Sequence, residues 1–253
     1  MADAALFEPE HGGITVAVRK TDAVSRQPEM NFPVKIVLFG SFYRGYCVLD
    51  ELLSGPRSGD FRVVGVATDD VTQSYISREA RLWQYPHSAD EEVMVENQAR
   101  AHGLPVYKGR IKTEQFYTLL ETDWRPDVCL SATFGQRFDR RIFCYPRCGF
   151  FNLHPSHGSQ WPSRYAGPNP FKILADDGCD HTVAALHRVD DGIDTGELMA
   201  ISPRVPMPPN ASVTDMHKLS SPTFARFAVR ELHKIAAHRL AEMAEAESTR
   251  TFI

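Results

Sequence analysis

The sequence predicts an α/β protein, a Rossmann-like and mostly parallel sheet with helices on both faces, followed by C-terminal helices. Three observations predict it. Short apolar runs alternate with helix-period segments along most of the chain, and that alternation builds parallel strands joined by crossover helices. Polar or glycine-bearing segments at Gly40, 134–139 and 152–156 follow the ends of those runs, where ligands gather on open sheets. A chain of 253 residues, 43% of them hydrophobic, can bury one full core without a partner.

The elements follow in order. Residues 34–39 are an apolar run closed by Gly40 and Ser41, and the helical pattern behind it carries Val48, Leu49, Leu52 and Leu53. A second strand is expected at 61–67, a helix at 91–102 stopped by Gly103, and a short strand at 105–107. Thr113 can cap a helix running to about Thr122, before strands at 127–132 and 149–153. Another strand is expected at 182–186. From Ser212 the pattern turns helical, with Ser212 and Asp215 spaced like a capping box. Pro222 is expected to interrupt it before a helix over 223–246. The organisation is therefore an N-terminal arm at 1–33 with a strand expected at 14–18, a catalytic domain at 34–206, and a helical extension at 207–253 packed on the same domain.

The bulk properties narrow the function classes. A net charge of −4 offers no basic field for nucleic acid and no basic amphipathic segment for a membrane, so a small soluble substrate is expected. Five cysteines, Cys47, Cys129, Cys144, Cys148 and Cys179, form no repeating frame and read as reduced thiols of a cytoplasmic protein. No apolar run approaches the roughly 20 residues of a membrane span, and the arm lacks the apolar centre of a signal peptide. Oligomeric state is left open.

Chemistry concentrates in two places. Asn152 and His154 stand two apart at a strand end, so both side chains share one face. Downstream, His187 is followed by the glycine-bearing turn Asp190, Asp191, Gly192, Ile193, Asp194, Thr195 and Gly196, which can return a carboxylate toward the imidazole. A metal-hydrolase reading would recruit His154, His157 and Asp194, but no further histidine or His-Glu frame accompanies them, and Cys144 and Cys148 lack a second pair. No metal is expected. Residues 40–45 are not a phosphate loop, since Tyr46 and Cys47 replace its lysine and hydroxyl residue. An aromatic and basic insertion, Arg78, Arg81, Trp83, Tyr85 and His87, reads as packing, with a substrate lid as its alternative.

Three ordered motifs, Asn152-x-His154-Pro155-Ser156, then Arg164-Tyr165-Ala166-Gly167, then His187 with Asp191-Gly192-Ile193-Asp194-Thr195-Gly196, resemble the folate-dependent formyltransferases. That family acts on glycinamide ribonucleotide, methionyl-tRNA and nucleotide sugars. The resemblance runs from about Val34 to Pro206. It implies 10-formyltetrahydrofolate as co-substrate and Asn152, His154 and Asp194 as catalytic residues. Asn152 would stabilise the oxyanion with His154, and Asp194 would orient the imidazole. It places the folate contacts at Phe134, Gly135, Gln136, Arg137 and Phe138, with Asp191 beside them. Arg137 and Asp139 depart from the family's aliphatic and proline form of that loop. Gly40, Ser41, Arg44 and Arg164 are the expected acceptor contacts.

The segment from Arg81 to His87, residues 132–137 and the long loop through Trp161, Pro162 and Ser163 resemble the hydroxyornithine transformylases of pyoverdine-type siderophore synthesis. An amino-sugar nucleotide is the alternative acceptor, and a folate- or nucleotide-binding module without catalysis is the alternative class.

Overall fold

A computed structural model describes residues 33–73 and 82–250. The expected arm at 1–33, apart from its final residue, and Arg78 and Arg81 of the insertion lie outside them. In chain order the elements are β1 (Val34–Gly40), α1 (Phe42–Ser54), β2 (Phe61–Ala67), α2 (Ala89–Ala101), β3 (Val106–Tyr107), α3 (Glu114–Thr118), β4 (Val128–Ala132) and α4 (Arg140–Phe143). They continue with β5 (Gly149–Ser156), α5 (Pro170–Asp176), β6 (His181–Arg188), β7 (Leu198–Ile201), β8 (Val205–Pro206) and α6 (Val213–Arg250).

The strands lie in the order β3-β2-β1-β4-β5-β6-β7, with β8 paired to β6. The first five run parallel, whereas β6 enters antiparallel to β5 and to β7. The predicted mostly parallel class holds. Its logic is visible in β1, where alternate residues serve opposite faces. Ile36 and Leu38 join the core formed with Leu49, Val95 and Phe224, while Val37 and Phe39 join Phe116, Trp124 and Ile142. Burial on both faces is why the strand reads as an unbroken apolar run, and each such side chain contributes about 1.5–3 kcal/mol.

Local signals explain the helix ends. Ser88 and Glu91 form a reciprocal capping box, so α2 begins two residues before the periodicity suggested, and Gly103 at φ 67° stops the chain behind it. The Thr113 hydroxyl accepts from Phe116 N to start α3, which passes directly into a π-helical stretch at Leu119–Trp124. At the other end of β1, an added Cβ on Gly45 would lie 2.6 Å from the Gly40 carbonyl carbon. The two glycines therefore let α1 start directly against the strand end, which is a packing role.

The C-terminal expectation needs correction. Pro222 does not interrupt the helix; it lies inside a single 38-residue α6. A proline removes one main-chain bond and crowds the preceding turn, but the surrounding burial outweighs that cost, because Phe224, Ala225, Phe227, Ala228, Val229, Leu232 and Ala236 all enter the main core. The adjacent hydroxyls are satisfied within the helix, Ser220 on Met216 O and Ser221 on His217 O, both at 2.6 Å. The start matches the predicted capping box, with Ser212 Oγ accepting from Asp215 N at 3.0 Å.

Candidate functional site

A cavity of about 440 Å³ opens beside the carboxyl ends of β4 and β5, within the size range of small-molecule sites. Period-2 geometry on β5 points Asn152 and His154 to the same side, and the turn after β6 returns Asp194 to them. Asp194 adopts φ 52°, a left-handed conformation uncommon for a side chain with a Cβ.

Asn152 Nδ2 donates to Asp194 Oδ1 at 2.9 Å and lies 3.2 Å from His187 Nε2. Gly167 N donates to Asp194 Oδ2 at 2.9 Å. Burial alone would raise the Asp194 carboxyl, but His187, His154 and the Gly167 amide together hold it well below the ordinary carboxylate range. It is an anion at neutral pH.

The imidazole tautomers follow from their partners. His154 Nε2 lies 2.9 Å from Tyr165 O, and a carbonyl only accepts, so Nε2 carries the proton. Nδ1 then faces Asp194 Oδ2 at 3.5 Å with its lone pair available. Burial lowers the His154 pKa and outweighs the opposing pull of Asp194 and Tyr165, with the charges of His187 and Arg44 lowering it further. His187 Nδ1 carries a proton toward Arg188 O at 2.7 Å, and its Nε2 lies 3.2 Å from Asn152 Nδ2 and 3.3 Å from Asp194 Oδ1. Trp161 covers that ring at 4.7 Å and donates from Nε1 to Gly196 O at 2.7 Å.

The loop after β4 forms another wall. Phe134, Gly135, Gln136, Arg137 and Phe138 all line the cavity. Gly135 N donates to buried Asp69 Oδ1 at 2.8 Å, and a Cβ there would stand 2.7 Å from that oxygen, so only glycine fits the approach. Gln136 is tied at both ends, its Nε2 donating to Gly109 O at 2.8 Å and its Oε1 accepting from Ile111 N at 3.2 Å. Asp139 is occupied in capping α4 and accepting from Tyr117 Oη at 2.5 Å.

Other expected residues fall elsewhere. Asp191 does not line the cavity: its carboxylate pairs with Arg140, and Arg137 donates to its carbonyl at 3.2 Å. Arg164 is also outside, its side chain 64% exposed and paired with Asp177 at 2.5 Å, because the turn after the loop aims it toward α5. Gly40 and Ser41 do not line the cavity. The Ser41 hydroxyl is used internally, 3.2 Å from Thr68 Oγ1 and accepting from Asp69 N at 3.0 Å. Arg44 does line the cavity. His157 stands with Asp180 and His181, its ring 4.1 Å from that of His181, so the hydrolase grouping with His154 and Asp194 is not assembled.

Several lining residues carried no sequence assignment: Asp69, His217, and Pro168 and Pro170 ahead of α5. His187 stood in the motif without a role; its contact with Asn152 supplies one. Trp83 of the insertion was read as packing and does pack, its ring 5.7 Å from Phe42, yet it also lines the cavity.

Comparison with known proteins finds likeness in fold and in sequence. The chain is 15% identical to the crystal structure of a phosphoribosylglycinamide formyltransferase from Anaplasma phagocytophilum, with a TM-score of 0.60 over 81% of this chain and 87% of the other. A formyltetrahydrofolate deformylase structure from Pseudomonas syringae pv. tomato gives 16% identity and a TM-score of 0.56, over 81% and 63% of the two chains. The chain has the formyltransferase fold. In sequence it is 30% identical over 180 residues to a methionyl-tRNA formyltransferase of Chloroflexus aggregans, covering 70% of this chain and 52% of the relative. It is 26% identical over 160 residues to one from Lachnospira eligens, covering 63% and 49%. The chain thus spans about half the length of the curated relatives it matches. No family model matches it. Among the described residues, no helix is long and apolar enough to cross a membrane.

Proposed function

We propose that this protein transfers a formyl group from 10-formyltetrahydrofolate to an amine or hydroxylamine, with Asn152, His154 and Asp194 as its catalytic residues. The observation that carries the reading is the joining of those three residues on one wall of a cavity whose other wall is the loop at 134–138. Main-chain groups of that loop would read the flat pteridine. The acceptor nitrogen attacks the formyl carbon, and the carbonyl oxygen becomes an oxyanion. As the new C–N bond forms, the acceptor's proton passes to His154 Nδ1, where Asp194 stabilises the resulting imidazolium. Collapse breaks the bond to the folate nitrogen, which takes that proton back and leaves as tetrahydrofolate. Asn152 serves the oxyanion by turning toward it one N–H of its side-chain amide, whose 3.2 Å approach to His187 Nε2 is the longer of its two contacts.

Hydroxyornithine is the proposed acceptor. A hydroxylamine is largely neutral at pH 7, so a buried base of lowered pKa suffices for it, and the product is a formyl hydroxamate, an iron-chelating group. The test is direct turnover of 10-formyltetrahydrofolate with hydroxyornithine, an aminodeoxy-sugar nucleotide and glycinamide ribonucleotide as competing acceptors. Hydroxyornithine should give the highest kcat/KM. Preference for the sugar nucleotide would overturn the acceptor and keep formyl transfer; silence with all three, together with no folate binding, would overturn both.

A further inference from the structure

Arg44 is a buried cation without a counterion. The residue is 3% exposed, and its guanidinium lies 5.5 Å from the Phe171 ring centroid and 5.7 Å from that of Phe224. Nη1 donates to Thr133 Oγ1 at 3.1 Å, while Nε and Nη2 find no partner. No aspartate or glutamate among the described residues forms an ion pair with it. Burial pushes its pKa down to about 9, and only the Cys47 thiol opposes that shift. A charge held this way costs the free protein stability unless something neutralises it.

His217 reaches the same place from α6. Its ring packs edge-on against Phe42 at 5.5 Å and Phe171 at 4.8 Å, and Nδ1 is buried without a partner. Both residues line the cavity that holds His154 and Asp194. Three orphaned nitrogens, one cationic fork and one imidazole, thus meet inside an aromatic collar.

We infer that Arg44 and His217 form the seat for a carboxylate of the acceptor, so that the site selects amino-acid-like acceptors bearing a free carboxylate. This deepens the reading of formyl transfer and rests on it for the identity of the occupant. A guanidinium binds both carboxylate oxygens at once, and a single positive charge matches a monoanion better than a phosphate dianion. The apolar collar removes water from the pair and sharpens the discrimination between a carboxylate and its amide.

The experiment observes the seat without turnover. Protein labelled with ¹⁵N-arginine is titrated with L-ornithine, ornithinamide and inorganic phosphate, and the Arg44 Nε–H resonance is assigned by its loss in Arg44→Met. Ornithine should shift that resonance, ornithinamide should bind at least tenfold more weakly, and His217→Phe should weaken ornithine binding about tenfold, the scale of one lost hydrogen bond to a charged group. Arg44→Met should melt no lower than the parent protein when ligand-free. Equal response to ornithinamide, preference for phosphate, or a lower melting temperature for Arg44→Met overturns the seat. Formyl transfer measured on the same samples separates the two ideas: transfer without an ornithine response removes the seat and keeps the activity, while an ornithine response without transfer keeps the seat and removes the activity.

Discussion

His154 presents a lone pair at Nδ1 because Tyr165 O fixes the proton on Nε2, and that one main-chain contact determines which nitrogen can act as base. Replacing His154 with alanine, or Asp194 with asparagine, is expected to keep the fold and lower kcat by about 100-fold or more, the range for a lost acid-base group; single-turnover kinetics would check it. The base must be neutral, and burial places its pKa below the ordinary 6.5. The acid limb of the kcat/KM profile should therefore fall below pH 6.5, and a limb above it would remove His154 as the base. At this scale the sequence was informative where spacing determines direction. Asn152 and His154 share a face because a strand alternates. It could not separate Arg44 from Arg164, since both are arginines near strand ends, and only the packing shows one buried under Phe171 and the other paired with Asp177 on the surface.

The loop after β4 owes its shape to contacts with distant elements, Asp69 beyond β2 and Gly109 beyond β3. Gly135→Ala would press a methyl group to 2.7 Å from Asp69 Oδ1, and relieving that contact must move either the loop or the carboxylate. We expect a loss of about 1–3 kcal/mol in stability, the usual cost of overpacking, and a larger effect on folate KM than on acceptor KM; equal effects on both would show that the loop does not serve the folate. β1, β2, β4, β5 and β6 were legible as elements because burial on both faces leaves a nearly continuous apolar run, whereas β7 and β8, four and two residues long, were not read as strands. Two short helices were missed as well. α4 has four residues and α5 has seven, with Pro170 at its start, too little length for a helical period to emerge. The long α6 was misread for the opposite reason, since a local breaker at Pro222 was outweighed by a tertiary interface that sequence spacing does not display.

For the molecule as a whole, neutral imidazoles are buried against their tendency to protonate. The pKa values of His154 and His217 both lie below 6.5 in the folded state, mainly through burial. Below that pH the unfolded chain binds more protons than the folded one, so stability rises with pH through this window and is lost as pH falls. The melting temperature should drop between about pH 7 and about pH 5, and His217→Phe should flatten that dependence; an unchanged slope would show that His217 protonates freely in the folded protein. The position of His217 also has a consequence in time. It stands in the first turns of α6, after every strand of the sheet, so a growing chain presents Asn152, His154 and Asp194 well before the residue that closes the aromatic collar. Docking of α6 is thus the step at which the cavity acquires its full wall, and in pulse-labelled refolding, amide protection of α6 should appear together with the ability to bind a carboxylate.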